Sequence, residues 1–380
     1  MAGLALTACG TAGPTATPPG RSPSAAVVLL DTASPVPPSA TLAATATISP
    51  APSETSTNEL PSATATHLPT LTPSPTVLPQ VQFMAVGDLM LGRSIGEHIG
   101  AQGPAVVFGG VAATLAQADL LIGNLECVIS DQGTPQFKSF NFRAPVRAVD
   151  ALSAAGFDVV DLANNHSMDY GTDGLADMLT RLRAAGINSV GAGADAETAR
   201  SPVILDRNGV HVAFLSYVNV PIEGRTGFDT RIWAAGVEKP GVAWGTPAVI
   251  AKDVTAAKTV ADVVVVLLHS GLESRFEVSP LQRDLAHAAV DAGAALVVGA
   301  HSHTLQPVER YKSGIIAYSL GNFVFDGFTA PSNYTAIFAA TLTPAGVAAY
   351  SWIPVVVANG LPRLATTQEA LLILPLVREQ

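Results

Sequence analysis

Five short apolar runs along this chain each end abruptly in polar side chains. Val81-Gln82-Phe83-Met84-Ala85-Val86 stops at Gly87-Asp88, and Leu120-Leu121-Ile122 stops at Gly123-Asn124-Leu125-Glu126. Phe157-Asp158-Val159-Val160-Asp161-Leu162-Ala163 runs into Asn164-Asn165-His166. Val263 to Leu268 ends at His269, and Leu296-Val297-Val298 ends at Gly299-Ala300-His301-Ser302-His303. Near-continuous apolar runs suit strands covered on both faces, and ligands of α/β sheets gather at the carboxyl ends of such strands. One polar residue after a strand is an ordinary loop or cap, but five convergent tips of Asp, Asn, Glu and His predict a site.

Between these runs the pattern turns helical. Helices are expected after Arg93-Ser94, from Val111 to Ala118, from Ala144-Pro145 to Ala155, from Thr172 to Ala185, from Pro247 to Thr259 and from Leu281 to Ala292. A further strand is expected over Ile187 to Val190, and Asn208-Gly209 joins Val203–Asp206 to Val210–Tyr217 as a hairpin. Beyond Pro307 the pattern is antiparallel, with turns at Ser313-Gly314 and Pro344-Ala345-Gly346. Two segments resist this scheme. Ser130 to Arg143 carries Phe137, Phe140 and Phe142 among Lys138 and Arg143 and reads as an edge strand, whereas residues 218–246, with Arg225, Arg231, Trp233 and Trp244, read as a long loop. The alternation of strands and helices defines an α/β domain over residues 81–380.

The first eighty residues follow neither pattern. Gly10 to Gln80 is Thr, Ser, Pro and Ala with few charges, which cannot bury enough apolar surface to offset its ordering entropy; a disordered stalk is expected. Residues 1–9 end in Leu6-Thr7-Ala8-Cys9, a partial match to the lipobox at which a bacterial lipoprotein is lipidated. A lipidated Cys9 followed by an extended stalk would hold an extracytoplasmic domain away from the cell membrane. The second cysteine, Cys127, reads as a small buried thiol. No apolar run is long enough to span a membrane as a helix. With a net charge of −10 and no basic patch, nucleic acid is excluded as a partner.

Eight histidines divide by context. His67 lies in the stalk, and His98, His211 and His287 lie in a hairpin or helices. His166, His269, His301 and His303 all follow strands. His301 and His303 are expected to project from one side of an extended backbone, so that each ring can serve a metal or a substrate. Together with Asp88, Glu126, Asn165 and His269 they form a mixed nitrogen and oxygen set suited to one or two ions of Zn, Mn or Fe. A bridging carboxylate would hold two such ions about 3.5–4 Å apart. There is no Gly-x-Ser-x-Gly, and Ser270 beside His269 does not make a triad.

Six stretches carry a resemblance: Gly87-Asp88-Leu89-Met90-Leu91-Gly92-Arg93, Gly123-Asn124-Leu125-Glu126, Asn164 to Gly171, His269-Ser270-Gly271-Leu272-Glu273, Gly299 to His303 with Leu305-Gln306-Pro307, and Tyr318-Ser319-Leu320-Gly321-Asn322-Phe323. In order and over about residues 81–326, they resemble the CapA family of poly-γ-glutamate capsule biosynthesis proteins, relatives of the calcineurin-like metallophosphoesterases. The resemblance implies a metallophosphoesterase-like α/β/β/α sandwich. It implies metal ligation by Asp88, Asn165, His269, His301 and His303, with either Asn124 or Glu126 in place of the bridging aspartate. His166 is implied as the acid or substrate-contacting residue, with Arg93 beside it as a second catalytic candidate. The phosphoesterase Asp-x-His is here Asp88-Leu89-Met90, so one histidine is missing and one metal position is depleted. The function implied is a surface-anchored, metal-dependent hydrolase or transferase acting on an anionic polymer or phosphoester alongside the capsule synthesis and export machinery. The alternative is a non-catalytic polymer-binding or export accessory protein with a vestigial metal site.

Expressed behind a complete leader, the protein is expected to partition into detergent and Cys9→Ser to release it; equal partitioning of the Cys9→Ser protein would rule out the anchor.

Overall fold

The computed structural model describes residues 78–223 and 227–380. The expectations for Cys9, the stalk, His67 and Arg225 lie outside the described residues. Every described residue belongs to one compact unit.

The five apolar runs become strands of two different sheets. In the first sheet Val81–Leu89 pairs in parallel with Leu120–Leu125, which pairs with Val159–Asp161 and then with Asn188–Val190. On its other side Val81–Leu89 meets the antiparallel succession Tyr334–Thr343, Gly346–Ala358 and Leu361–Leu364. In the second sheet Val263–Ser270 lies between Val210–Asn219 and Leu296–Ala300, both parallel to it. Hairpin partners Val203–Arg207 and Val308–Tyr311 close its two edges.

Side chains of alternating parity explain why each run is apolar throughout. Val81, Phe83 and Ala85 point to a core shared with Val212, Phe214, Val263 and Val265 of the other sheet, while Met84 and Val86 point the opposite way, into the cluster that also holds Ile95, Ile99 and Leu152. Phe83 stacks on Phe214 across the shared core with ring centroids 6.4 Å apart. On the far side, Val264, Val266 and Leu268 pack on Ile250, Val254 and Leu285 of the helices Pro247–Ala257 and Pro280–Asp291. Two sheets therefore face each other with helices on both outer surfaces, and the central parallel strands are covered on both faces.

Several expected elements are redrawn. The helix at Val111–Ala118 shrinks to Ala112–Leu115, and the helix expected from Ala144-Pro145 begins at Ala148 after a turn. Of the edge strand expected over Ser130 to Arg143 only the last residue lies in a strand, Arg143–Ala144, which pairs with Val128–Ile129. Phe137 and Phe140 are 94% and 58% exposed, and only Phe142 packs inward, its N–H bonded to Asp169 and its carbonyl accepting from Val128 N–H. The described part of 218–246 is more ordered than expected: Ile222–Glu223 pairs with Phe228–Asp229, a 3-10 turn spans Thr230–Trp233, and Gly241–Val242 pairs with Ala192–Gly193. Cys127 is buried and free, as expected, and burial pushes its thiol up to about 12.

The sheets are tied near the site by a buried carboxyl. Asp161 at the end of one strand accepts hydrogen bonds from Ser216 Oγ of the other sheet and from the Ala163 N–H. Burial pushes it from 3.8 up to about 7, outweighing both donors. A carboxyl raised in this sense adds stability that is complete below about pH 3.8 and lost as pH rises through about 7. At 1.36 kcal/mol per pH unit the difference amounts to about 4 kcal/mol. Asp161→Asn, which cannot ionise, should therefore gain on wild type by up to that amount between about pH 4 and 8, measured by denaturant midpoints; a gap that does not change with pH would contradict the assignment.

Candidate functional site

Both sheets present the carboxyl ends of their parallel strands at one edge. Asp88 and Asn124 come from the first sheet and His269 from the second, while Glu126, Asn165, His166, His301 and His303 follow within a few residues of a strand end. Asp88 is aimed by a local irregularity. Pairing with Leu120–Leu125 slips between Val86 and Asp88, where Gly87 lies against the Gly321 carbonyl. A Cβ at Gly87 would stand 1.8 Å from that oxygen, so only glycine allows the approach, and Asp88 N–H donates to the same carbonyl at 2.9 Å.

Asn124 is an organiser of the cluster. Its Oδ1 accepts from Asn164 Nδ2 at 2.9 Å, which turns its own Nδ2 inward to 2.8 Å from Asp88 Oδ1, 3.2 Å from Glu126 Oε2 and 3.2 Å from His269 Nδ1. An inward NH₂ is a donor and offers no lone pair, so in this orientation Asn124 presents no ligand atom, whereas Glu126 stands in both candidate ligand groups. Asn164, passed over in sequence, is fully bonded. It donates also to the Leu125 carbonyl and accepts from His166 N–H and Ser167 Oγ, which fixes the bend that turns His166 into the site.

The histidine pair also differs from expectation. The strand ends at Ala300, and His301 and His303 both have positive φ, 89° and 53°, so the backbone between them is curled, not extended. Such conformations in non-glycine residues are held only where surrounding contacts over-determine them. Both rings still enter the site: His301 lies 4.8 Å from the His269 ring centroid, and His303 Nδ1 lies 2.9 Å from Asn322 Oδ1 and 3.2 Å from Asp88 Oδ2.

Two sets of ligand atoms emerge, Glu126–His269–His301 and Asp88–Glu126–His303, each lying within 4.8 Å of one another and both using Glu126. Asn165 Oδ1, 2.7 Å from His269 Nε2, adjoins the first set. Asp88 Oδ2, Glu126 Oε1, Asn165 Nδ2 and His301 Nδ1 are buried without hydrogen-bond partners. Orphaned polar atoms of this kind are rare and demand a partner. The electrostatics agree. Burial, then the charge of Asp88, raises Glu126 well above its ordinary range, while burial and then neighbouring histidines hold His269 and His301 well below theirs. Burial opposes a charge on His303, but Asp88, Glu273 and Asn322 more than offset it. The neutral imidazoles of His269 and His301 beside crowded carboxyls are a donor set that suits a divalent transition ion.

Beside the sets lies a cavity of about 250 Å³ lined in part by His166, His303, Glu223, Phe140, Phe328 and Arg93. His166 stacks on Phe142, with centroids 4.1 Å apart, and its Nε2 lies 3.9 Å from Glu126 Oε1. Burial, then the charge of Lys138, holds it well below its ordinary range, so the ring is neutral. Arg93, 42% exposed, pairs with Asp326 and lies over the Phe142 and Phe325 rings. Lys138, Asp169 and Glu223, which support His166 from behind, were missed in sequence. Lys138 was hidden among exposed phenylalanines, and Glu223 carries no local signal at all.

An α/β domain with a candidate di-metal centre at the strand ends is thus the class that fold and site define. The chain belongs to the bacterial capsule synthesis protein family PGA_cap, whose sequence profile matches residues 82–327. It is 36% identical to the capsule biosynthesis protein CapA of Bacillus anthracis over 290 residues, 74% of this chain and 69% of that one. The PGA biosynthesis protein CapA of Bacillus subtilis is 35% identical, covering 63% of this chain and 62% of its own length. A probable polyglutamine synthesis accessory protein of Mycobacterium tuberculosis is 34% identical over 55% of this chain and 56% of its own. Among solved structures, a hypothetical protein from Thermus thermophilus is 16% identical, covers 72% of this chain and 98% of its own, and aligns with a TM-score of 0.45.

Proposed function

We propose that the domain is a metal-dependent hydrolase or transferase of metallophosphoesterase type, acting on an anionic polymer or phosphoester in capsule production. The observation that carries this reading is Glu126, a buried carboxylate common to two ligand sets whose unpartnered atoms converge. Family membership and relatives named for capsule and poly-glutamate biosynthesis supply the pathway. The layering of two sheets between helices is consistent with the phosphoesterase sandwich. Anchoring through Cys9 outside the cytoplasm belongs to the same proposal, as do capsule synthesis and export machinery as partners.

His269, His301, Glu126 and Asn165 would hold one divalent ion of Mn, Zn or Fe; Asp88, His303 and the shared Glu126 would hold a second. When bound, such ions polarise the scissile group and lower the pKa of water. The resemblance to phosphoesterases implies a depleted position, since Met90 stands where they carry a histidine, and Met90 is wholly buried in the apolar core. This favours unequal affinities, and in its extreme form it favours the non-catalytic accessory reading.

The remaining residues supply the organic chemistry. Arg93, positioned over two aromatic rings at the cavity wall, offers its guanidinium to a carboxylate or phosphate. Phe140, Phe325 and Phe328 line the cavity and limit water. His166 Nε2 faces the cavity and exchanges a proton with a reacting oxygen, a contribution of about 10²–10⁴-fold in rate.

Elemental analysis and turnover of a generic phosphodiester and of poly-γ-glutamate test the reading. His166→Ala should keep wild-type metal and lose about 10²–10⁴ in kcat, whereas His269→Ala should lose both. Absence of transition metal after reconstitution would reject the metal centre, and full activity of His166→Ala would reject the proton-transfer role.

A further inference from the structure

Among the Lys and Arg side chains that form ion pairs in the described residues, Lys138 is the most deeply buried. No part of its side chain is exposed, nor of Asp169; Glu223 is nearly as buried. Four polar atoms surround its Nζ: Asp169 Oδ1 at 2.6 Å, Asn165 O at 2.7 Å, Glu223 Oε2 at 2.7 Å and His166 Nδ1 at 3.3 Å. An ammonium has three N–H bonds. The three shortest contacts are all to oxygens, so no N–H remains for the ring nitrogen.

That count decides the state of His166. Its Nδ1 lies 2.8 Å from Asp169 Oδ2, which also accepts the Phe142 N–H at 2.6 Å. With Asp169 ionised, its oxygens accept from Lys138 and Phe142 and carry no proton of their own, so the ring is the donor in the Nδ1 contact. The Phe142 stack prevents the ring from turning away. Nε2 is left 3.8 Å from Glu223 Oε1 and 3.9 Å from Glu126 Oε1, beyond hydrogen-bond range of either. The Trp233 ring, 4.9 Å from Nζ, covers the ammonium from the other side.

We propose that Lys138 is a positioning residue: by committing its three N–H bonds to Asn165, Asp169 and Glu223, it obliges His166 to carry its proton at Nδ1 and present a bare Nε2 to the cavity. This rests on the proposed function only in calling the ring's proton transfer catalytic. A bare Nε2 takes a proton from a water or hydroxyl oxygen: the O–H bond breaks, an N–H bond forms, and the imidazolium is balanced by Asp169. Lys138 also ties together three separate segments, the 130–142 stretch, the turn after Asn165 and the Ile222–Glu223 strand. Burial pushes Asp169 up to about 7 against the opposing pull of Lys138. Without the ammonium, Asp169 holds its proton, donates it to Nδ1, and the ring proton moves to Nε2.

The test is ¹⁵N NMR of the histidine ring nitrogens in the full chain at pH 8, with His166 assigned by the resonances that His166→Gln removes. Wild type and Glu223→Gln should show Nδ1–H and a bare Nε2. Lys138→Met should show Nε2–H, with metal content unchanged and the kcat on the phosphodiester probe down by about 10²–10⁴ at nearly constant KM. Because Lys138→Met strands a buried carboxylate, Lys138→Met/Glu223→Gln serves as the folded alternative, with the same result expected. An unaltered Nδ1–H signature in the Lys138 variants, or Nε2–H in wild type, would overturn the inference. If no protein turns over substrate but the ring proton moves as described, the proposed function fails and the role of Lys138 stands.

Discussion

The arrangement turns on Glu126, a buried carboxyl whose ion-pair partners among the described residues are histidines alone, His166 at 3.9 Å and His303 at 3.7 Å. It is wholly buried, one oxygen has no hydrogen-bond partner, and Asp88 adds a second acid beside it. Removing an unpaired charge from water is too unfavourable to be tolerated incidentally; such a group is protonated, paired or bound to a cation. The nearby partners are not Lys or Arg side chains. They are imidazoles, those of His269 and His301 kept neutral by burial and that of His303 drawn toward its charged form chiefly by Asp88, and the NH₂ of Asn124. Lys138, a buried ammonium close by, is engaged by Asp169 and Glu223 on the far side of His166. The geometry is that of a socket for external positive charge.

Such a socket needs both sheets. Glu126 and Asp88 belong to the first and His269 and His301 to the second, so neither sheet contains a complete ligand set of its own. The shared apolar core fixes the distance between them, and Asp161 with Ser216 ties them close to the site. Packing of Phe83 on Phe214 and the spacing of the ligand atoms are in this sense one constraint.

Much of this was readable from the chain because burial on both faces leaves a plain signal. Strands such as Val263–Ser270 must be apolar along their length, and their polar ends stand out by contrast. The division of the five strands between two sheets was implied by the family resemblance and not by the apolar pattern, in which both kinds of strand look alike. Nor could that pattern give the positive φ of His301 and His303, the second of which is held against Asn322 and the Phe325 ring. The choice between Asn124 and Glu126 depended on which way an amide was turned, and that was set by Asn164, far along the chain. Lys138 escaped because an isolated lysine between exposed phenylalanines reads as surface; its burial arises only when the 130–142 segment, the turn after Asn165 and the Glu223 strand meet around it.

Calorimetric titration of Mn²⁺ or Zn²⁺ into metal-free wild type and Glu126→Ala addresses the shared carboxylate directly. Wild type should bind two ions, one tightly and one more weakly, and Glu126→Ala should weaken both while remaining folded. Loss of one binding event with the other unchanged, or wild-type binding by Glu126→Ala, would contradict a centre built on a single bridging residue.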